Sequence, residues 1–142
     1  MNDRPDIACQ VHADGVHVGQ NDLPVPAVRQ IVGRDKLVGL STHSLEQARA
    51  ALLAAPDYIG VGPMFSSSTK TQPFHAGPET LRKVLDEIPL PHVAIGGITP
   101  TNVGQLTAVG CKTVAVCQSV IADADPKAAA EKLKNRLIQS EN

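Results

Sequence analysis

A chain of 142 residues, 42% of them apolar and 19% charged, can bury one core of its own and is short for two domains. A net charge of −1 and an aromatic content of 2% supply neither a basic patch nor a stacking platform, which excludes the usual nucleic-acid binders. No apolar run reaches membrane-span length, and MNDRPDIACQ lacks a hydrophobic signal region, so a cytoplasmic protein without a membrane partner is expected.

The strand signals come first. In order they are Gly15–Gly19, Lys36–Ser41, Tyr58–Gly62, His92–Gly97 and Thr113–Cys117, short and rich in β-branched residues. Most are almost continuously apolar, as strands covered on both faces of a parallel sheet are. Helical patterns fill the gaps. Pro24–Val32 sets Ala27, Val28 and Ile31 on one side. Ser44–Ala55 carries Leu45, Ala48, Leu52 and Ala55 at helical spacing, with Ser44 and Gln47 placed as a capping box. Pro78–Ile88 repeats the pattern with Leu81, Val84, Leu85 and Ile88. Thr99–Val109 has Thr99 as its predicted cap, Pro100 in the first turn and Gly110 as its stop. Asp125 and Pro126 open the last helix, whose apolar stripe is Ala129, Ala130, Leu133 and Leu137.

Strict alternation of strand and helix predicts an α/β fold with parallel strands and right-handed crossovers, in one domain over residues 1–142. The strand spacing is regular except between Tyr58 and His92. The excess is Ser66–Gly77, which holds Ser66, Ser67, Ser68, Thr69, Lys70 and Thr71 without apolar periodicity. Hydroxyls and one ammonium at the end of a buried strand suit a polyanion such as a diphosphate; a solvated Ser/Thr loop is the other reading. The remaining strand ends also carry small and polar residues: Gly19 to Asp22, Ser41 to His43, Gly96 and Gly97, Gln118 and Ser119. One ring of loops around one pocket accounts for them together.

Gly96-Gly97 ahead of a helix, and Gln118-Ser119 ahead of another, suit phosphate binding at strand–turn–helix junctions. Asp3 and Asp22 are candidate Mg²⁺ ligands at strand ends, although Asp14 and Asp35 have much the same local setting. His17 alternates within a strand and can point inward, and His43 is placed for acid–base work. Cys9, Cys111 and Cys117 are odd in number and form no CxxC pair, so no disulfide framework or zinc site is expected.

Five runs together resemble one family: Asn2–Arg4 (NDR), Ala13–Pro24 (ADGVHVGQNDLP), Gly39–Ser44 (GLSTHS), Asp57–Lys70 (DYIGVGPMF…STK) and Val93–Val103 (VAIGGITPTNV). They are similar to thiamine-phosphate synthases, in the same order and at close to the same spacing. The resemblance implies a (β/α)₈ barrel, Mg²⁺, and a reaction joining hydroxymethylpyrimidine diphosphate to a thiazole phosphate with release of diphosphate. It implies Asp3 and Asp22 as Mg²⁺ ligands, Asn2 as a substrate-binding residue, Ser41 near the pyrimidine, Thr69 and Lys70 on the diphosphate, and Gly97 on phosphate through its backbone. Ser66 and Ser67 stand where the family often has Pro-Thr, and Gln118 stands where it often has serine, next to Ser119.

The resemblance begins inside the family's third strand. The first two strand–helix units, with their Gln-x-Arg-type motif, lie outside it, so a barrel of about five units is expected. Self-association through the open edge follows from that geometry. Two other readings stay open: a thiazole tautomerase of the same fold, which works through histidine, and an inactive phosphate-binding module.

Overall fold

The computed structural model describes residues 1–66 and 75–138. Their strands are β1 (Gly15–Val18), β2 (Leu37–Thr42), β3 (Tyr58–Val61), β4 (His92–Ile95) and β5 (Val114–Ala115). They form one parallel sheet in the order β1-β2-β3-β4-β5, the order of the chain itself. Gly15 pairs with Leu37, Gly39 with Tyr58, Ile59 with His92 and Ala94 with Val114. A sheet in which each strand lies beside its predecessor is what successive right-handed crossovers build on the way to a barrel. Asn2 adds a parallel bridge to His17, so the first residues lie along the outer side of β1.

The helices are α1 (Pro5–Gln10), α2 (Val25–Val32), α3 (Leu45–Ala54), α4 (Gly77–Glu87), α5 (Val103–Thr107), α6 (Gln118–Ile121) and α7 (Pro126–Ile138). They cover one face of the sheet, and alternation sends every second strand side chain beneath them. Val16, Val18 and Val38 pack with Ala8, Val25 and Val28. Ile59, Val61 and Ala94 pack with Ala48, Leu81, Val84 and Leu106. The opposite parity, including His17, Gly39, Ser41, Tyr58, Gly60 and Ile95, falls on the concave face. Ile95 is 46% exposed there, because the described strands do not wrap round to face it.

Strand positions follow the expected stretches closely, whereas several helical details differ. In α2 the buried residues are Val25, Val28 and Val32, and Ile31 is exposed. Starting the helix at Val25 turns the stripe so that i, i+3 and i+7 face the sheet. In α3 the core takes Ala48 and Ala51, while Leu52 is 42% exposed: the small residues admit the close approach of helix to sheet and Leu52 falls on the rim. Ser44 accepts from the Gln47 amide at 3.3 Å as expected, but the Gln47 side chain bonds the His43 amide, one residue outside the ordinary box. Ala130 is exposed, so the stripe of α7 is Ala129 and Leu133. Pro5–Gln10 was not expected to be helical; its six residues bury only Pro5 and Ala8, too little periodicity to show in a sequence.

The largest difference is α5, which starts at Val103 and not at Thr99. Asn102 intervenes. Its Oδ1 accepts from the Thr99 amide at 2.8 Å, and its Nδ2 donates to the Gly97 carbonyl at 2.9 Å. The Asn102 side chain thus ties up the turn that Thr99 was expected to cap, and the Thr99 hydroxyl pairs with that of Thr101. Gly110, at φ 92°, ends the turn as expected. Asp125 also acts as expected, accepting from the Ala128 amide at 3.0 Å.

Candidate active site

The carboxyl ends of β2 to β5 open into one cavity of about 630 Å³. Ser41, Thr42 and His43 form one wall, Gly60, Gly62 and Pro63 the floor, Gly96 and Gly97 the next wall, and Gln118 and Ser119 the far side. Four of the strand ends singled out by their polar residues therefore meet. A cavity at this end of a parallel sheet is where the fold places ligands.

Two neighbouring loops are held together by backbone approach. The amides of Met64 and Phe65 donate to the carbonyls of Ile95 and Gly96, extending the β3–β4 ladder beyond both strands. Gly97 has φ 65°, and a Cβ there would lie 2.4 Å from the Ser66 carbonyl oxygen. Only glycine satisfies both the left-handed backbone and the contact. The Gly-Gly pair thus closes the β3 loop onto the β4 loop, a role that its reading as a phosphate site does not contain.

Ser41, on β2, is held from the concave face. His17 Nε2 lies 2.8 Å from its Oγ, and His17 Nδ1 lies 3.0 Å from the Tyr58 hydroxyl. Burial pushes the imidazole pKa down, the Asp3 carboxylate opposes that, and the terminal ammonium adds to it; the balance is downward. Burial pushes the Tyr58 phenol up. His43 is fixed as well: its Nδ1 lies 2.6 Å from the Gly62 carbonyl, which can only accept, so Nδ1 carries the proton. Ser119 Oγ is buried at the far wall with no hydrogen-bond partner among the described residues. Gln118, at the start of α6, is exposed beside it.

Asp3 and Asp22 stand at neighbouring strand ends. Asp3 follows the Asn2–His17 bridge, and its amide donates to the His17 carbonyl at 2.8 Å. Asp22 closes the turn after β1, where its Oδ2 accepts from the Gly19 amide at 2.7 Å. Gln20 braces that turn by donating to the Ser41 carbonyl at 2.6 Å. Among the described residues no three His, Cys, Asp or Glu side chains gather into a metal cage. Carboxylate oxygens at neighbouring strand ends are the donor type that a Mg²⁺ ion takes when it keeps most of its water and binds substrate phosphate oxygens. Ser67, Thr69 and Lys70 lie outside the described residues. His17 faces the concave side, as its alternation within the strand predicts, and Tyr58 is the site residue that strand patterning does not single out.

A parallel strand–helix array whose loops converge on one cavity at the carboxyl ends of its strands defines a ligand-binding domain of the (β/α)-barrel type. A family model described as thiamine monophosphate synthase matches residues 1–120. A thiamine-phosphate synthase from Ruminiclostridium cellulolyticum is 50% identical over 133 residues, which are 94% of this chain and 63% of that protein. Another, from Thermosynechococcus vestitus, is 43% identical over 141 residues, 99% of this chain and 40% of that protein. The solved structure of a thiamine phosphate pyrophosphorylase from Pyrococcus furiosus superposes with a TM-score of 0.88 at 33% identity, covering 99% of this chain and 67% of that one. The chain belongs to the thiamine monophosphate synthase family. It spans 63% and 40% of the lengths of the two curated relatives. Among its described residues no helix is long and apolar enough to cross a membrane.

Proposed function

We propose that this chain acts as a thiamine-phosphate synthase, joining hydroxymethylpyrimidine diphosphate to a thiazole phosphate and releasing diphosphate. One observation carries the reading: every described cavity-lining residue, from Ser41 to Ser119, falls inside the stretch matched to the family, residues 1–120. The cavity volume suits a substrate of this size.

In this reading Asp3 and Asp22 would hold Mg²⁺, which when bound neutralises charge on the departing diphosphate, and Asn2 binds substrate. Thr69, Lys70 and Ser67 bind that diphosphate by hydroxyl donation and one fixed positive charge. Ser41 orients the pyrimidine. Gly97, Gln118 and Ser119 hold the thiazole phosphate on the opposite side. The carbon–oxygen bond to diphosphate breaks, and the thiazole nitrogen forms the new bond to the same carbon. The protein contributes charge stabilisation and positioning, and no residue has to accept a proton in the bond-forming step. The same reading puts the chain in the cytoplasm and makes self-association along the open edge of β5 an expectation, which sedimentation tests directly.

His43 supports a second reading. With Nδ1–H given to Gly62, Nε2 is the His43 nitrogen left for acid–base work at the cavity wall, as a thiazole tautomerase needs. The deciding assay supplies both substrates and Mg²⁺ to the folded chain. Thiamine phosphate and diphosphate forming in equal amounts is the expected result. Tautomerisation of the thiazole phosphate with no diphosphate released overturns the synthase reading.

A further inference from the structure

Ser41 stands at the cavity wall, where a hydroxyl can either give or take a hydrogen bond. Its polarity is decided from behind. His17 reaches across from β1 and joins two partners on different strands, Ser41 Oγ at 2.8 Å and Tyr58 Oη at 3.0 Å. The sheet is built to let it pass. A Cβ on Gly39 would lie 2.2 Å from Tyr58 Cζ and 2.4 Å from His17 Nδ1, so the contact runs directly over a position that must lack a side chain. Gly60 leaves the same clearance on the other side, where a Cβ would meet His17 Cε1 at 3.3 Å.

A neutral imidazole donates from one nitrogen and accepts at the other, and the partner of one nitrogen decides the role of the second. A phenol hydroxyl donates strongly and accepts weakly, since its oxygen lone pair is drawn into the ring. Tyr58 therefore gives its proton to Nδ1. Nε2 then carries the ring hydrogen and donates it to Ser41 Oγ. One Ser41 Oγ lone pair is then taken up by His17, and the hydroxyl hydrogen, not drawn to the imidazole, is free to donate toward the cavity.

We infer that Tyr58 and His17 are positioning residues that make Ser41 a hydrogen-bond donor toward the cavity, so that the ligand atom it reads is an acceptor of the aromatic ring-nitrogen kind. The assignment of that ligand rests on the synthase reading; the polarity of Ser41 does not. The opposite tautomer would make Ser41 an acceptor and select an amino or hydroxyl group.

Nitrogen-15 spectra of the histidines in the 142-residue chain, recorded at mildly alkaline pH without substrate, test the polarity. The expected result is a His17 ring with its hydrogen on Nε2 and a bare Nδ1, whose resonance moves in Tyr58→Phe. A hydrogen on Nδ1, or equal populations of the two tautomers, overturns the inference. Titration with hydroxymethylpyrimidine diphosphate and Mg²⁺ tests its use. Ser41→Ala and His17→Leu should each weaken binding about tenfold, the loss of one good hydrogen bond. His17→Gln, which places an amide N–H where Nε2–H stood, should recover most of that loss, with thiazole phosphate binding unchanged throughout. Equal losses in His17→Leu and His17→Gln also overturn it. If the unaltered chain binds neither substrate, the synthase reading fails, while the nitrogen spectrum still decides the tautomer.

Discussion

His43 Nδ1 donates to the carbonyl oxygen of Gly62 across 2.6 Å, tying the end of β2 to the turn that follows β3. The imidazole is a strut between two loops as well as a wall of the cavity. His43→Asn keeps a donor near Nδ1, while His43→Ala leaves the Gly62 carbonyl without it. Alanine should lower stability by about 1 kcal/mol and asparagine by less than half of that, read as urea midpoints. If both variants are equally stable, the strut carries no energy.

Asp57 gives a dependence on acid. Its Oδ2 accepts from Arg29 Nη2 at 2.7 Å and from the Val38 amide at 2.6 Å, linking α2 to the start of β2. Burial opposes its ionisation, but these two hydrogen bonds and the guanidinium charge outweigh it, and the carboxyl pKa is held below its ordinary value. A depressed folded-state pKa means that the stabilisation is present above about pH 4 and is lost as pH falls through the folded value. The Asp57 side chain is 38% exposed, so water screens the pair and the gain is under about 1 kcal/mol. Asp57→Asn should lower stability near neutrality and flatten its decline below pH 4. An acid limb of unchanged slope would show that other carboxylates carry it.

Much of this fold could be read directly from residue order, because β-branched runs such as Leu37–Thr42 and Tyr58–Val61 signal strands by local chemistry alone. The convergence of strand ends followed from the alternation of strand and helix. What could not be read depends on contacts between residues distant in the chain. His17 and Tyr58 are 41 residues apart, and their hydrogen bond appears only once β1, β2 and β3 are in register. Asn102 displaced the start of α5 through one side chain reaching back to Gly97, a choice that capping preferences at Thr99 do not contain. Ile31 and Leu52 lie on the apolar stripes that spacing marks yet are exposed, because helical periodicity gives a face but not its rotation relative to the sheet.

Two glycines of the same region should respond in opposite ways. Gly97 combines φ 65° with a Cβ position 2.4 Å from the Ser66 carbonyl oxygen, whereas Gly104, in α5, has nothing within 4 Å of its Cβ position. Gly97→Ala should cost about 2–4 kcal/mol from backbone strain and overpacking. Gly104→Ala should be neutral or gain up to about 1 kcal/mol from helix propensity. Thermal unfolding of the two variants side by side checks the contrast, and a tolerated alanine at Gly97 would mean that the two loops can part without cost.

Asp22 separates a charge role from a folding role. Its Oδ2 accepts from the Gly19 amide at 2.7 Å, so Asp22→Ala removes both a turn contact and a carboxylate. Asp22→Asn keeps an acceptor for Gly19 and removes only the charge. Under the proposed synthase chemistry the asparagine variant should remain within about 1 kcal/mol of the parent in stability. Its turnover should fall by at least about a hundredfold, a loss of roughly 2.7 kcal/mol of transition-state stabilisation. Excess Mg²⁺ should recover part of that rate, because the site is weakened and not abolished while Asp3 remains. Lys70→Ala should lose turnover to a similar degree with no Mg²⁺ rescue, since it removes a positive charge on the substrate side. Steady-state rates across a Mg²⁺ titration, with circular dichroism confirming the fold, distinguish the two. An Asp22→Asn enzyme with normal rate and normal Mg²⁺ dependence would assign that carboxylate to the turn alone.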